Sequence, residues 1–356
     1  MHRLPCLLLS LPVLAQGFAP RADLEAGRFL KVLAESEARL RQAPQDAQAW
    51  AAKSQALSAL LRWNEALAAA DRAVALQPNL ADALLARGLA RGGLAVAQRN
   101  LGSLRGLGRA MDDFRAATQA DPTLVRAWMS LGLAYEQLPG ILGGSTRKAL
   151  ACADALRRVS RPKGDLLEAL VRSMDGDWAR AEACFGQALQ GAPGDPEVVT
   201  AWLEQLDEKA ALKALGRDGK NARLRSDAAR LLPSVRHRAK GVEAVSEAYL
   251  NAGSPEEAWK VAEAGLTEVE APSILRLQLA KVAARTGIHR VEGLAQADLA
   301  LRAPMEGGSG GLPALQWRRG QILKALGRPS EAQEAARAAL ALDPTHRGAQ
   351  ALLEDP

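Results

Sequence analysis

Four segments of the chain share one spacing: a small residue, then positions +4, +7 and +12, the last always proline. They are Ala66, Ala70, Ala73, Pro78; Ala110, Phe114, Ala117, Pro122; Ala181, Phe185, Ala188, Pro193; and Ala332, Ala336, Ala339, Pro344. Offsets of 0, 4 and 7 put three side chains on one face of an α-helix. Proline five residues later falls beyond the helix end, in the turn to the next element. Such a helix lets a neighbour approach closely, and its turn re-aims the chain. Recurrence of that plan predicts stacked helical hairpins.

The intervals mark the units. Pro44 to Pro78 is 34 residues, and Pro78 to Pro122 is 44. The ten extra residues are expected as a long turn around Gly102–Gly108. The first full hairpin spans 47–80, with Trp50 opening its first helix, Trp63 and Asn64 in the turn, and the second helix running from Glu65 to Leu76. The third unit opens with Trp128, Leu131, Gly132 and Tyr135, and a Pro139–Ser145 turn precedes Ala149. These residues resemble the Trp-x2-Leu-Gly-x2-Tyr signature of the tetratricopeptide repeat (TPR) family, and 34 residues is its period. The resemblance implies an all-α fold, a right-handed α-solenoid of stacked helix hairpins. The expected organisation is an N-terminal helix or partial repeat at 16–46, four repeats over 47–195, an atypical helical connector at 196–240, and a second array over 241–356. That last array holds a unit at 241–271, a degenerate one at 273–304, a mobile Gly-rich loop at 307–311, a clear unit at 312–344 and a capping helix at 345–353.

Composition agrees. Of the residues, 48% are hydrophobic but only 4% aromatic, so alanine and leucine supply the apolar surface, as tightly packed helices prefer and sheets do not. The 46 basic residues are interleaved with 40 acidic ones. The densest basic run, Arg217 to Lys240, contains no aromatic to stack on bases, so it reads as a solvated helical face and no nucleic acid is expected.

Met1-His2-Arg3, a mostly apolar Leu4–Leu14 and the small-residue site Val13-Leu14-Ala15 have the layout of a secretory signal peptide. Residues 1–15 are expected to be removed after Ala15, leaving a periplasmic protein of bacterial type with no integral membrane segment. Cys6 precedes the hydrophobic segment and is no lipidation site. Cys152 and Cys184 occupy the same position of two successive hairpins, too far apart for a disulfide, and read as small hydrophobes.

No catalytic constellation can be assembled. His237, His289 and His346 occur singly, and no His-Glu-x-x-His, Gly-x-Ser-x-Gly or phosphate-binding Gly-Lys-Ser/Thr motif is present. No enzyme activity, cofactor or metal site is expected. What remains is a binding surface. In the TPR family the first helix of each hairpin lines the concave face. By register that face here holds Leu85, Leu89, Arg126, Met129, Leu133, Glu136, Leu166 and Leu170, an apolar strip suited to an extended peptide or partner helix. Gln55, Ser58, Lys163, Glu243, Glu247, Asn251, Trp317, Gln321 and Lys324 extend it. Ala51, Gln55, Leu85 and Leu89 stand where the family's chaperone-tail clamp has lysine and asparagine. The turn Gly143-Gly144-Ser145-x-x-Lys148-Ala149 is similar to one in exported bacterial TPR proteins, including the T-component of tripartite periplasmic (TRAP) transporters. That resemblance implies a solenoid that meets a solute-binding protein. The expected function is a protein–protein interaction scaffold, with a solute-uptake accessory, docking a solute-binding protein or holding a small apolar ligand, as the alternative.

Overall fold

The computed structural model describes residues 18–302 and 311–354, apart from 19, 26, 99–100 and 270–271, and of 101–104 the backbone alone. The expected signal peptide and most of the Gly307–Gly311 loop lie outside the described residues. The chain is a succession of helices: α1 (Pro20–Glu25) and α2 (Phe29–Gln42), α3 (Ala47–Ala59) and α4 (Trp63–Leu76), α5 (Ala81–Gln98) and α6 (Leu101–Ala120), α7 (Val125–Gln137) and α8 (Thr146–Arg157), α9 (Arg161–Met174) and α10 (Trp178–Gly191). It continues with α11 (Pro196–Asp207) and α12 (Lys209–Val235), α13 (Ala239–Asn251) and α14 (Pro255–Glu268), α15 (Ser273–Thr286) and α16 (Arg290–Leu301), α17 (Gly311–Ala325) and α18 (Pro329–Leu342), and the terminal α19 (Arg347–Glu354). Each odd helix packs on the even helix after it, each even helix on the next odd one, and the odd helices touch one another in an unbroken row from α1 to α19. This is an all-α solenoid, with one helix layer formed by the odd members and the other by the even.

The repeated spacing has a structural counterpart at every copy. Its twelve helical positions are all buried. In each case the last helical hydrogen bond ends on the third of them: the N–H of Gln77, Asp121, Ala192 and Asp343 donates to Ala73, Ala117, Ala188 and Ala339 at 2.9–3.0 Å. The prolines then sit in two-residue turns. Several of these turns are clamped from outside the helix they end. Trp50 Nε1 donates to the Pro44 carbonyl at 2.9 Å, Trp128 Nε1 to Pro122 at 2.8 Å, Ser234 Oγ to Pro193 at 2.7 Å and Gln350 Nε2 to Pro344 at 3.0 Å. The aromatic that opens a hairpin therefore also fixes the angle at which the chain enters it.

Small residues set the distance between the two layers. A Cβ added to Gly88 would lie 3.2 Å from the Ala110 carbonyl oxygen, and one on Gly320 would lie 3.1 Å from that of Ala332. In two other hairpins the same place holds a buried serine, whose Oγ donates to the facing carbonyl: Ser54 to Ala66 and Ser246 to Ala258, both at 2.7 Å.

Several expectations are corrected. The ten extra residues of the second unit do not make a long turn: Gly102–Gly108 are helical, and the insertion lengthens α5 and α6 instead. Gly106 faces Ala95 so closely that a Cβ there would be 3.1 Å from the alanine Cβ, so glycine here permits helix contact. Trp63 and Asn64 open α4, with Leu61 (φ 61°) carrying the turn before it. The Pro139–Ser145 turn is extended, built on a short 3-10 helix at Gly140–Leu142 and a left-handed Gly143 (φ 89°).

Of the expected connector at 196–240, residues 196–235 form α11 and α12, irregular internally and stacked in line with the other hairpins, and 239–240 already open α13. Their α12 breaks at Gly216 (φ 69°, ψ 170°) and contains Pro233. Trp202 of α11 stacks on Trp178 at 6.0 Å between ring centres and meets Phe185 at 5.4 Å. Asp227 of α12, buried, accepts from Trp202 Nε1 at 3.0 Å, Arg223 Nε at 2.8 Å and Arg230 Nη2 at 3.0 Å. The basic run is thus partly structural: Lys220 is buried against Asp207, and Arg225 donates to the Ala252 carbonyl at 3.0 Å. At the other end α19 covers α17 and α18.

Ala181 is fully buried. Ala181→Trp inserts a large ring into a close-packed layer and is expected to cost about 1–3 kcal/mol, read as a lower melting temperature in a circular dichroism scan. An unchanged curve would place residue 181 outside the hairpin interface.

Candidate functional site

The row of odd helices supplies the candidate surface. Of the sequence-predicted strip, Leu85 and Leu166 are fully buried and Met129 nearly so. These three are core residues, correcting their assignment to an open face. The reason is geometric: the first leucine of each i, i+4 pair points between the layers and only the second reaches the margin. Leu89, Leu133 and Leu170 are half-buried and pack against the edge of the main core. Arg126 and Glu136, also half-buried, flank them on α7.

Polar side chains knit this end together across three hairpins. Arg126 Nη1 donates to Gln55 Oε1 of α3 at 2.6 Å, and Gln55 Nε2 donates to the Asp82 carbonyl of α5 at 3.4 Å. Arg21 of α1 reaches the Asp82 carboxylate at 2.8 Å and Asp121 at 3.3 Å. Burial pulls the Arg126 guanidinium below the usual arginine range, with Glu197, Glu25 and Asp82 opposing the shift. Lys163 of α9 pairs with Asp195 at 2.7 Å and Glu197 at 2.5 Å. Glu136 Oε2 is buried with no hydrogen-bond partner among the described residues. Ser58, expected on the open face, is buried, and its hydroxyl likewise has no partner there.

Further along, the same row carries a charged cluster on α13, α15 and α17. Glu247 accepts from Lys281 Nζ at 2.9 Å, Gln278 Nε2 at 3.0 Å and Arg285 Nη1 at 3.3 Å, and Arg285 also donates to Asn251 Oδ1 at 3.1 Å. Arg318 lies over the Trp317 ring at 3.9 Å and donates to Gln321 Oε1 at 2.9 Å; burial, with Arg285 nearby, lowers its pKa to about 10. Glu243, Glu247 and Asn251 were legible as inward-facing from their spacing. The spacing does not single out Lys281 and Arg285, because the unit at 273–304 lacks the small-residue signature that sets a register; Arg318 lies next to the predicted Trp317, in a unit whose register is clear. Burial pushes the Glu243 carboxyl up to about 7, with Lys240 and Lys281 opposing and Glu247 and Glu204 adding to the shift.

Other chemistry-bearing residues sit in structural contacts. His289 stacks on Trp259 at 4.6 Å and meets Glu256 at 3.1 Å; His346 lies 5.1 Å from the Trp317 ring. Cys152 and Cys184 are free thiols on α8 and α10, and burial pushes Cys152 to about 11. Among the described residues no three His, Cys, Asp or Glu side chains could hold a metal ion together, and no helix is long and apolar enough to cross a membrane.

Because Glu243 is held near 7 in the fold and ionises at about 4.3 when unfolded, its raised pKa gives stability that is present at low pH and lost as pH climbs through that window. Glu243→Gln is expected to gain on the wild type between about pH 4.3 and 7 and to stay ahead above it. Parallel urea titrations at several pH values check this; a constant difference between the two proteins would remove Glu243 as the source.

Residues 313–346, covering α17, α18 and the following turn, match the tetratricopeptide repeat family. No curated protein sequence matches the chain. Among solved structures it is similar to a thermophilic TPR protein of Thermus thermophilus, at 22% identity and TM-score 0.45, over 53% of this chain and 99% of that one. It is similar also to the Cut9–Hcn1 hetero-tetramer of APC/C (14%, TM-score 0.44, over 94% of this chain and 54% of that one) and to PilF of Pseudomonas aeruginosa (16%, TM-score 0.42, 66% and 99%). The chain therefore carries a tetratricopeptide repeat at residues 313–346, and the small-residue faces and proline turns of that hairpin recur in α3–α4, α5–α6 and α9–α10.

Proposed function

We propose that the protein is a non-catalytic scaffold that binds a partner protein along its row of odd helices, with the contact centred on α5, α7 and α9. The observation that carries this reading is the half-buried margin formed by Leu89, Leu133 and Leu170 beside Arg126 and Glu136. Three aliphatic side chains, one on each of three adjacent helices, make a shallow apolar track. Arg126 and the unpartnered Glu136 Oε2 lie at its side, where they can fix the register of an extended peptide or helix. Burying the exposed part of such leucines is favourable at about 25 cal/mol per Å², and polar groups left without partners gain most from a ligand that supplies them.

The alternative of holding a small apolar ligand draws no support from the recess between α1, α3 and α5, lined by Pro20, Leu24 and Ala52 together with Arg21, Gln55 and Asp82, because it is no roomier than a single water molecule. Under our reading the scaffold acts after export, with residues 1–15 removed.

A photo-crosslinking residue placed at Leu133 or Leu170 is expected to trap one defined partner in the source cells, and one placed at Arg72 on α4, in the other helix layer, is not. With the crosslinker at Leu170, Leu133→Glu should abolish the adduct while leaving the melting temperature within a few degrees of the wild type. Equal trapping from both layers would overturn this assignment of the surface. N-terminal sequencing of the mature protein is expected to start at Gln16.

A further inference from the structure

We propose that the last turn of α5, the stretch of α6 packed beside it and the α7–α8 turn together dock the protein onto an anionic lipid surface. Two features meet there. The first is apolar exposure: Ile141, in the middle of the α7–α8 turn, is 91% exposed, and Val96, near the end of α5, is 63% exposed. Neither side chain is in the core, and Ile141 is the most exposed large hydrophobic side chain among the described residues. The second is charge. Every charged residue in 92–111 and in 138–153 is basic, in a chain that elsewhere interleaves acids and bases. Of these, Arg105, Arg109, Arg147 and Lys148 are exposed and have no carboxylate partner among the described residues. Exposed arginines on the neighbouring hairpins are more often neutralised, as Arg62 is by Glu65 and Arg180 by Asp177.

These elements are neighbours. A Cβ on Gly143 of the turn would come within 2.8 Å of Met111 Cε on α6. From that contact α6 runs ten residues further to Leu101, about 15 Å. Ala95 of α5 lies against Gly106 of α6, which sets Val96 beside that projecting stretch. The result is a surface on which adjoining elements carry two exposed aliphatic side chains and four exposed cations. A flat, deformable surface suits it, because aliphatic tips enter the interfacial region while the cations meet headgroup phosphates. Nucleic acid presents phosphates too, but neither stretch contains an aromatic to stack on bases, and exposed isoleucine and valine gain nothing from a phosphodiester backbone.

The test is co-sedimentation of the full chain with vesicles of phosphatidylcholine containing phosphatidylglycerol, against phosphatidylcholine alone, at low and high salt. The wild type is expected to sediment with the anionic vesicles at low salt and to be released by high salt. At about fivefold per basic residue near an anionic surface, Arg147→Gln with Lys148→Gln is expected to weaken partitioning by about 25-fold, and Ile141→Ser by about tenfold. Arg105→Gln with Arg109→Gln provides a second, independent pair, and unchanged melting curves confirm that the variants are folded. Failure of the wild type to sediment would overturn the proposal, as would equal binding to neutral vesicles, undiminished binding by the two double variants, or preferential binding to DNA in the same buffer. None of these outcomes bears on the partner surface at Leu133.

Discussion

The solenoid depends on how closely the two helices of a hairpin approach at one crossing point. In four of the hairpins the odd helix has a residue small enough to sit against a main-chain carbonyl of the even one, and two solutions occur. Gly88 and Gly320 leave only a Cα there, so the carbonyl is approached directly. Ser54 and Ser246 keep a side chain but turn its hydroxyl into a donor for that carbonyl. Glycine gives up helix propensity and leaves the carbonyl with its helical bond alone. Serine adds a buried hydrogen bond, which at a net ~1 kcal/mol roughly offsets its weaker propensity. Alternation between them shows that the constraint is the spacing, not the residue.

A second constraint follows from placing charges on the inner row. Burial disfavours the charged form of every group there, and neighbours decide whether that penalty is met. Glu247 has three donors, and these outweigh desolvation to hold its carboxyl below the ordinary range. Glu243, one turn earlier on the same helix, faces the same lysine without a hydrogen bond, and burial wins. The two residues differ by four positions in sequence and by a single contact network in chemistry. Arg126 and Arg318 show the same balance for cations: each has an amide oxygen as partner and no carboxylate, and each is pulled down.

What the sequence made legible was whatever the crossing constraint imposes. Ala66, Phe114, Phe185 and Ala339 were identifiable as buried from their spacing, and Pro78, Pro122, Pro193 and Pro344 as turn residues. The open face was read less well. Leu85 and Leu166 share chemistry with Leu89 and Leu170, and only the exact helix rotation separates a core leucine from a marginal one. Glycine was the other source of error. In Gly102–Gly108 it mimics loop chemistry, whereas Gly106 serves close helix contact; at Gly143, with its positive φ, it does carry a turn. Composition cannot tell these uses apart, because the same missing Cβ permits both a left-handed backbone and a tight approach.

Among the described residues each helix of the row packs mainly on its next two successors, and the longest side-chain links, Arg21 to Asp121 and Arg126 to Gln55, still stay within the first four hairpins. Nothing made late in the chain is needed to complete what was made early. A topology this local favours fast folding, and a nascent chain can lay down its hairpins in the order they leave the ribosome. The exposed end at any moment is then a single unfinished crossing, which the next hairpin covers and, at the last, α19 closes.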